Sequence, residues 1–181
     1  MKRIFLLITA AAVVCLSVAA QNQKVMNGKN TLVAYFSATG TTERVAEMIA
    51  EATGGTLYEI TPEKEYTAAD LNWRDESSRS SVEMHDLSFR PAIVRNLENA
   101  GDYDVIYIGF PIWWNLAPTV VNTFIEAYGF DGKTVIPFAT SGGSGITNSA
   151  AQLKKQYPDI NWQSGKLLNN PSRADIEAWV K

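Results

Sequence analysis

From residue 31 onward, short apolar runs alternate with stretches in which apolar side chains return every three or four positions. Residues 31–36 (Thr-Leu-Val-Ala-Tyr-Phe) form a nearly unbroken apolar run, the pattern of a strand covered on both faces. Val45, Met48, Ile49 and Ala52 then fall on one side of a helix, and Gly54-Gly55 ends it. Residues 56–60 predict a second strand and residues 103–109 a third. Pro118 suits a first helical position, with Val121, Phe124, Ile125 and Tyr128 as the apolar stripe behind it. Residues 133–139 predict a fourth strand, in which Pro137 must sit where no ladder donor is needed. Ile146, Ala150, Leu153 and Tyr157 mark another helix, and residues 165–168 a short fifth strand. Ser172 with Asp175 reads as a capping box opening a last helix that buries Ile176, Trp179 and Val180. Such alternation predicts an α/β domain: an open, mostly parallel sheet with helices on both faces. Ligands bind such sheets beyond the carboxyl ends of the strands, where the strand order reverses.

The N-terminal residues follow a different pattern. Lys2-Arg3 precedes an apolar run over residues 4–20, broken only by Thr9 and Ser17, which ends in Val18-Ala19-Ala20 before the polar Gln21-Asn22-Gln23-Lys24. That is the layout of a secretory signal peptide cleaved after Ala20, followed by a short linker over residues 21–30 and one domain over residues 31–181. The protein is therefore expected to be exported, periplasmic or secreted, with no stable membrane insertion after cleavage. An uncleaved membrane anchor is the alternative.

Composition narrows the chemistry. The chain of 181 residues is 46% apolar, enough for one sizeable core, and carries a formal charge of −3. That charge argues against a nucleic-acid partner, and signal cleavage, which removes two bases and no acid, takes it to −5. One cysteine (Cys15) and one histidine (His85) cannot build a disulfide framework, a zinc cluster or an iron–sulfur site. No catalytic side chain or metal ligand is assigned.

Three strand-to-helix loops are chemically unusual. Ser37, Ala38, Thr39, Gly40, Thr41 and Thr42 offer four hydroxyls, a glycine and the free amides of a helix N-terminus, the donors a phosphate dianion needs. The loop has no lysine and matches neither Walker A nor G-x-G-x-x-G, so a lone phosphomonoester suits it better than a triphosphate or pyrophosphate. An ordinary capped turn is the other reading, and Glu43 adds a negative charge nearby. The second loop, Pro111, Ile112, Trp113, Trp114 and Asn115, carries two adjacent indoles that cannot both face one core. A flat ligand covers an exposed indole economically; the alternative packs one under the sheet edge and leaves the other to a subunit contact. The third loop, Thr140, Ser141, Gly142, Gly143, Ser144 and Gly145, lets bare backbone amides approach a ligand. A phosphate at the first loop and a flat polar ring at the other two describe flavin mononucleotide, FMN.

These residues carry a resemblance. Residues 35–42, 109–114 and 140–145, in that order, resemble the three FMN-binding segments of flavodoxin-like proteins, and the similarity runs from about residue 31 to the C-terminus. The resemblance implies a flavodoxin-like three-layer sandwich whose five-stranded parallel sheet has the order 2-1-3-4-5, with FMN at the switch point, an arrangement of which flavodoxin is the standard example. It also implies that Ser37, Thr39, Gly40, Thr41 and Thr42 hold the phosphate, that Trp113 and Trp114 flank or edge the isoalloxazine, and that the backbone of the third loop meets its polar rim.

The remaining candidate for specificity is the polar stretch over residues 61–90. With Trp73, Arg74, Met84 and His85 it reads either as a lid over the flavin or as a solvated excursion packed through Trp73 and Met84. The functional expectation is an FMN-binding redox protein, either an electron carrier or a flavin-dependent reductase of a small acceptor such as a quinone. Its partner would be a redox protein or a small-molecule electron donor or acceptor, and a homodimer is left open. The alternative is an exported binding or scaffold module of the same fold without flavin.

Overall fold

The computed structural model describes residues 29–180. The expected signal peptide, with Cys15, lies outside the described residues. Among these, no helix is long and apolar enough to cross a membrane.

A parallel sheet forms the middle layer. Its strands are β1 (Thr31–Tyr35), β2 (Thr56–Glu59), β3 (Val105–Pro111), β4 (Thr134–Thr140), β5 (Asn161–Trp162) and β6 (Lys166–Leu167), in the order β2-β1-β3-β4-β5, with β6 also paired to β4. The expected order is thus observed, with the fifth place shared by two short segments. The strand expected at residues 165–168 is β6; β5, of two residues, left no pattern to read.

Central strands are apolar on both faces because both are covered. Leu32, Ala34, Ile106, Ile108 and Phe110 point to one core with Val120, Val121 and Phe124 of α3 (Thr119–Tyr128) and Leu153 of α4 (Thr147–Gln156). Val33, Tyr35, Val105 and Tyr107 point to the other, with Val45, Ala46 and Ile49 of α1 (Thr41–Thr53) and Ile176 of α5 (Arg173–Trp179). The period-2 alternation of the strands therefore serves two helical layers at once.

Several boundaries differ from expectation for local reasons. β3 runs on to Pro111 because Phe110 and Pro111 stay in register with Ala139 and Thr140. Pro118 is the N-cap of α3, one place before the first helical residue. β4 passes straight through Pro137. The carbonyls of Val135 and Ala139 accept from Gln163 at 2.9 Å and Leu168 at 2.8 Å, so Pro137 between them turns its missing N–H toward the gap between β5 and β6. Gly165 fills that gap, where a Cβ would come within 2.8 Å of the Pro137 ring. The capping box is present: Ser172 Oγ accepts from the Asp175 amide, and the Asp175 carboxylate accepts from the Ser172 amide at 2.9 Å.

Residues 61–90 hold a helix that hydrophobic periodicity does not reveal, α2 (Arg79–His85). The segment is closed at its neck by an antiparallel bridge between Pro62 and Ile93. Inside, Ser78 caps α2 and the Ser80 amide donates to the Asp70 carbonyl at 2.9 Å. Arg79 donates through Nη1 to the Lys64 carbonyl at 2.7 Å and through Nε to Glu83 at 2.6 Å.

Candidate functional site

The three loops meet at the carboxyl ends of β1, β3 and β4. The first loop ends at Gly40, whose φ of 79° is left-handed and which occupies the N-cap of α1. Glycine has no side chain to cap with, so the amides before the first intrahelical bond, Arg44 N–H to Gly40 O at 3.2 Å, are left to other acceptors. The Thr39 and Thr41 hydroxyls stand exposed, 3.5 Å apart. Thr42 is buried instead, and its hydroxyl lies 2.9 Å from that of Thr140, joining the first loop to the third.

The second loop is a tight hairpin. Trp113 and Leu116 exchange backbone bonds of 3.0 and 2.8 Å, and between them Trp114 and Asn115 have φ of 45° and 65°. Two consecutive left-handed residues are the signature of a type I′ turn, which Asn tolerates and a bulky indole disfavours. The two tryptophans consequently divide. Trp113 packs edge-on against Phe36 (5.5 Å between centroids) and Tyr66 (5.3 Å), while Trp114 stays 39% exposed, with the His85 ring 6.4 Å away.

The third loop is held by one hydroxyl. Ser141 Oγ accepts from the amides of Gly143 (3.1 Å) and Ser144 (2.8 Å). Ser141 also exchanges backbone bonds with the Asn169 amide, accepting at 2.8 Å and donating at 2.9 Å. A Cβ placed on Gly142, Gly143 or Gly145 would meet nothing within 4 Å, so the loop presents open backbone rather than filled space.

Two adjoining clefts result. A polar one of about 480 Å³ is lined by Thr39, Thr41, Thr42, Pro111, Ile112, Trp113, Thr140, Ser141 and Gly142, together with Asn169 and Asn170. An apolar one of about 340 Å³ shares Thr39 and residues 111–113 and adds Ala38, Trp114, Leu71, Trp73 and Ser80. Ser37, Gly40, Asn115, Gly143 and Gly145 line neither of these two clefts. Sequence reasoning missed Asn169, Asn170, Leu71 and Ser80. Asn169-Asn170, directly after a weak strand, was the only signal available for the first two.

Residues 30–181 match the family profile described as Flavodoxin. The chain belongs to the flavodoxin family. A candidate flavoprotein from Bacteroides uniformis is 61% identical, over 84% of this chain and 98% of its own, with a TM-score of 0.82. A second, from Bacteroides eggerthii, is 59% identical over 84% and 96%, again at 0.82. A flavoprotein from Lactobacillus acidophilus, crystallised in complex with FMN, shares the fold at 22% identity and a TM-score of 0.66, over 84% of this chain and 99% of its own. No curated protein matches the chain.

In this flavodoxin-family chain one wall of the apolar cleft, Leu71, Trp73 and Ser80, comes from the inserted segment. Met84 is buried, whereas Trp73, which the packed reading also placed in contact, is 64% exposed and lines the cleft. A buried ionic knot holds the segment in place. Glu83, 2% exposed, accepts from Tyr66 and pairs with Arg79, whose guanidinium lies 4.0 Å from the centroid of the Tyr66 ring. Burial and the Glu83 carboxylate push the Tyr66 phenol well above its ordinary range, so it remains a donor. On the other side of the first loop, Glu43 accepts from Tyr35 at 3.3 Å, which turns its carboxylate toward the phenol. Burial, with Glu59 and Glu43 beside it, raises the Tyr35 phenol in the same way.

Proposed function

We propose that this chain binds FMN in the polar cleft and works as a flavin-dependent redox protein, passing electrons to a partner protein or a small acceptor. The single observation that carries the reading is the convergence of an uncapped helix N-terminus, exposed threonine hydroxyls and an open glycine loop on one cleft. The donor set fits the group. The α1 amides with Thr39 and Thr41 would hold the phosphate, and the amides of the third loop would meet the polar rim of the ring. FMN supplies the electron chemistry when bound. The chain's own side chains position it: Trp113, fixed edge-on by Phe36 and Tyr66, forms the shared wall, and the Thr42–Thr140 pair fixes the distance between loops. The FMN complex of the Lactobacillus acidophilus relative and the flavoprotein descriptions of both Bacteroides relatives support the choice of ligand.

The visible spectrum of the purified chain with added FMN tests this. Flavin bands with quenched flavin fluorescence are expected, and no binding at tens of micromolar FMN overturns it. Photoreduction then separates a one-electron carrier from a two-electron reductase. Export through the N-terminal leader is part of the proposal, and the mass of the secreted chain, starting at Gln21, is its check.

A further inference from the structure

We propose that the apolar cleft is a second ligand site, for a planar, uncharged ring compound carrying a carbonyl oxygen, with Ser80 Oγ as the hydrogen-bond donor. As the subsite of a second substrate it rests on the FMN reading; as a binding site it stands on its own geometry.

Three observations specify the ligand. First, at about 340 Å³ the cleft lies in the size range of small-molecule pockets, and among the described residues no charged side chain lines it, so a charged ligand would find no counter-ion there. Second, its lining includes two indoles, Trp73 and Trp114, that remain 64% and 39% exposed. Indoles left open beside a cleft favour a flat, apolar face. Third, the wall contains one buried hydroxyl without a partner. Ser80 is 2% exposed and its Oγ makes no hydrogen bond among the described residues. Every other hydroxyl in residues 61–90 is paired: Thr61 with Glu59, Tyr66 with Glu83, Thr67 with Asp70, Ser77 with Asp75, Ser78 with Ser81, Ser81 with Asp75, and Ser88 with Asp86. Within the segment Ser80 is the one hydroxyl left without a partner, and it lines the cleft, so an acceptor entering there is a partner within its reach. On an uncharged flat ring, a carbonyl oxygen is the acceptor that fits.

The polar cleft does not account for these residues. Leu71, Trp73 and Ser80 belong to the inserted segment and line only the apolar side, across Trp113 from the third loop.

The test is equilibrium binding of 2-methyl-1,4-naphthoquinone and of 2-methylnaphthalene, which has the same ring but no carbonyl, to the chain saturated with FMN. The quinone is expected to bind at least ten-fold more tightly than the hydrocarbon. Ser80→Ala should weaken the quinone five- to twenty-fold, leaving the hydrocarbon and the affinity for FMN unchanged. Trp73→Ala, at an exposed position with little bearing on folding, should weaken both compounds about five-fold or more. An unchanged quinone affinity in either variant overturns the proposal, as does competition of the quinone with FMN, which would put the flavin ring in this cleft. Failure of FMN itself to bind ends only the redox reading, and the same titrations on the flavin-free chain then decide the site.

Discussion

The hydroxyls of Thr42 and Thr140 meet 2.9 Å apart in a buried position, although 98 residues separate them in the chain. They fasten the helix that follows β1 to the end of β4, and so fix the spacing of the first and third loops. Replacing Thr140 by Val keeps the shape and strands the Thr42 hydroxyl, which is expected to cost about 1–3 kcal/mol in urea unfolding. Thr42→Val combined with Thr140→Val should recover much of that loss, because replacing both partners removes the unsatisfied group. Additive losses in the double variant would show that the two hydroxyls do not depend on each other.

Thr39 and Thr41 are exposed, and among the described residues each hydroxyl has the other as its side-chain partner, at 3.5 Å. Their joint replacement by Ala should leave unfolding unchanged and weaken FMN by about 1.5–3 kcal/mol for each lost bond to the phosphate. Fluorescence titration reads the affinity. Full affinity in this variant would mean that the phosphate is held elsewhere.

Arg79→Met preserves the length of the side chain but leaves the Glu83 carboxylate buried beside Tyr66 without its cation. Breaking one side of a buried pair typically costs about 3–5 kcal/mol. Amide exchange should accelerate across residues 61–90 first, because Arg79 also ties α2 to the Lys64 carbonyl at the start of that segment. Protection equal to that of the wild type there would remove the ionic knot from the account of how the cleft wall is held.

Glu59 lies at the end of β2, and burial, followed by the charges of Glu43 and Glu65, holds its carboxyl above the ordinary range. Its folded form thus retains the proton to a higher pH than its unfolded form. Stability is present below the unfolded pKa and is lost as pH rises through the folded one. Glu59→Gln should therefore stabilise the protein at neutral pH, by less than about 1 kcal/mol because the site is largely solvated, with the gain vanishing in acid. A pH series of thermal melts checks the sign.

Legibility from sequence followed burial. β1 and β3 stood out as apolar runs because both faces of a central strand are covered, and the three loops stood out by composition. α2 escaped because the residues it buries include Ser80, Ser81 and Glu83, polar side chains that no hydrophobic period can show; Glu83 is satisfied by Arg79 and Ser81 by the Asp75 carbonyl. β5 escaped because two residues carry no period at all. The division of Trp113 from Trp114 was hidden for another reason: it depends on a backbone turn with two left-handed residues, and Trp-Asn is a poor advertisement for one. Asn169 lines the polar cleft and is tied to it by reciprocal bonds to Ser141, a pairing across 28 residues that one chain's pattern does not encode.

The interruption between β5 and β6 also bears on how the border of the sheet could pair with a foreign strand. A sheet edge invites a foreign strand when it offers an unbroken row of donors and acceptors. Beyond β4 there are two separate two-residue strands, with a proline nitrogen facing the break and a glycine packed into it. The opposite edge, β2, is four residues long and ends in Glu59. Neither border is a good template for intermolecular β-pairing, while the parallel centre of the sheet is buried on both faces.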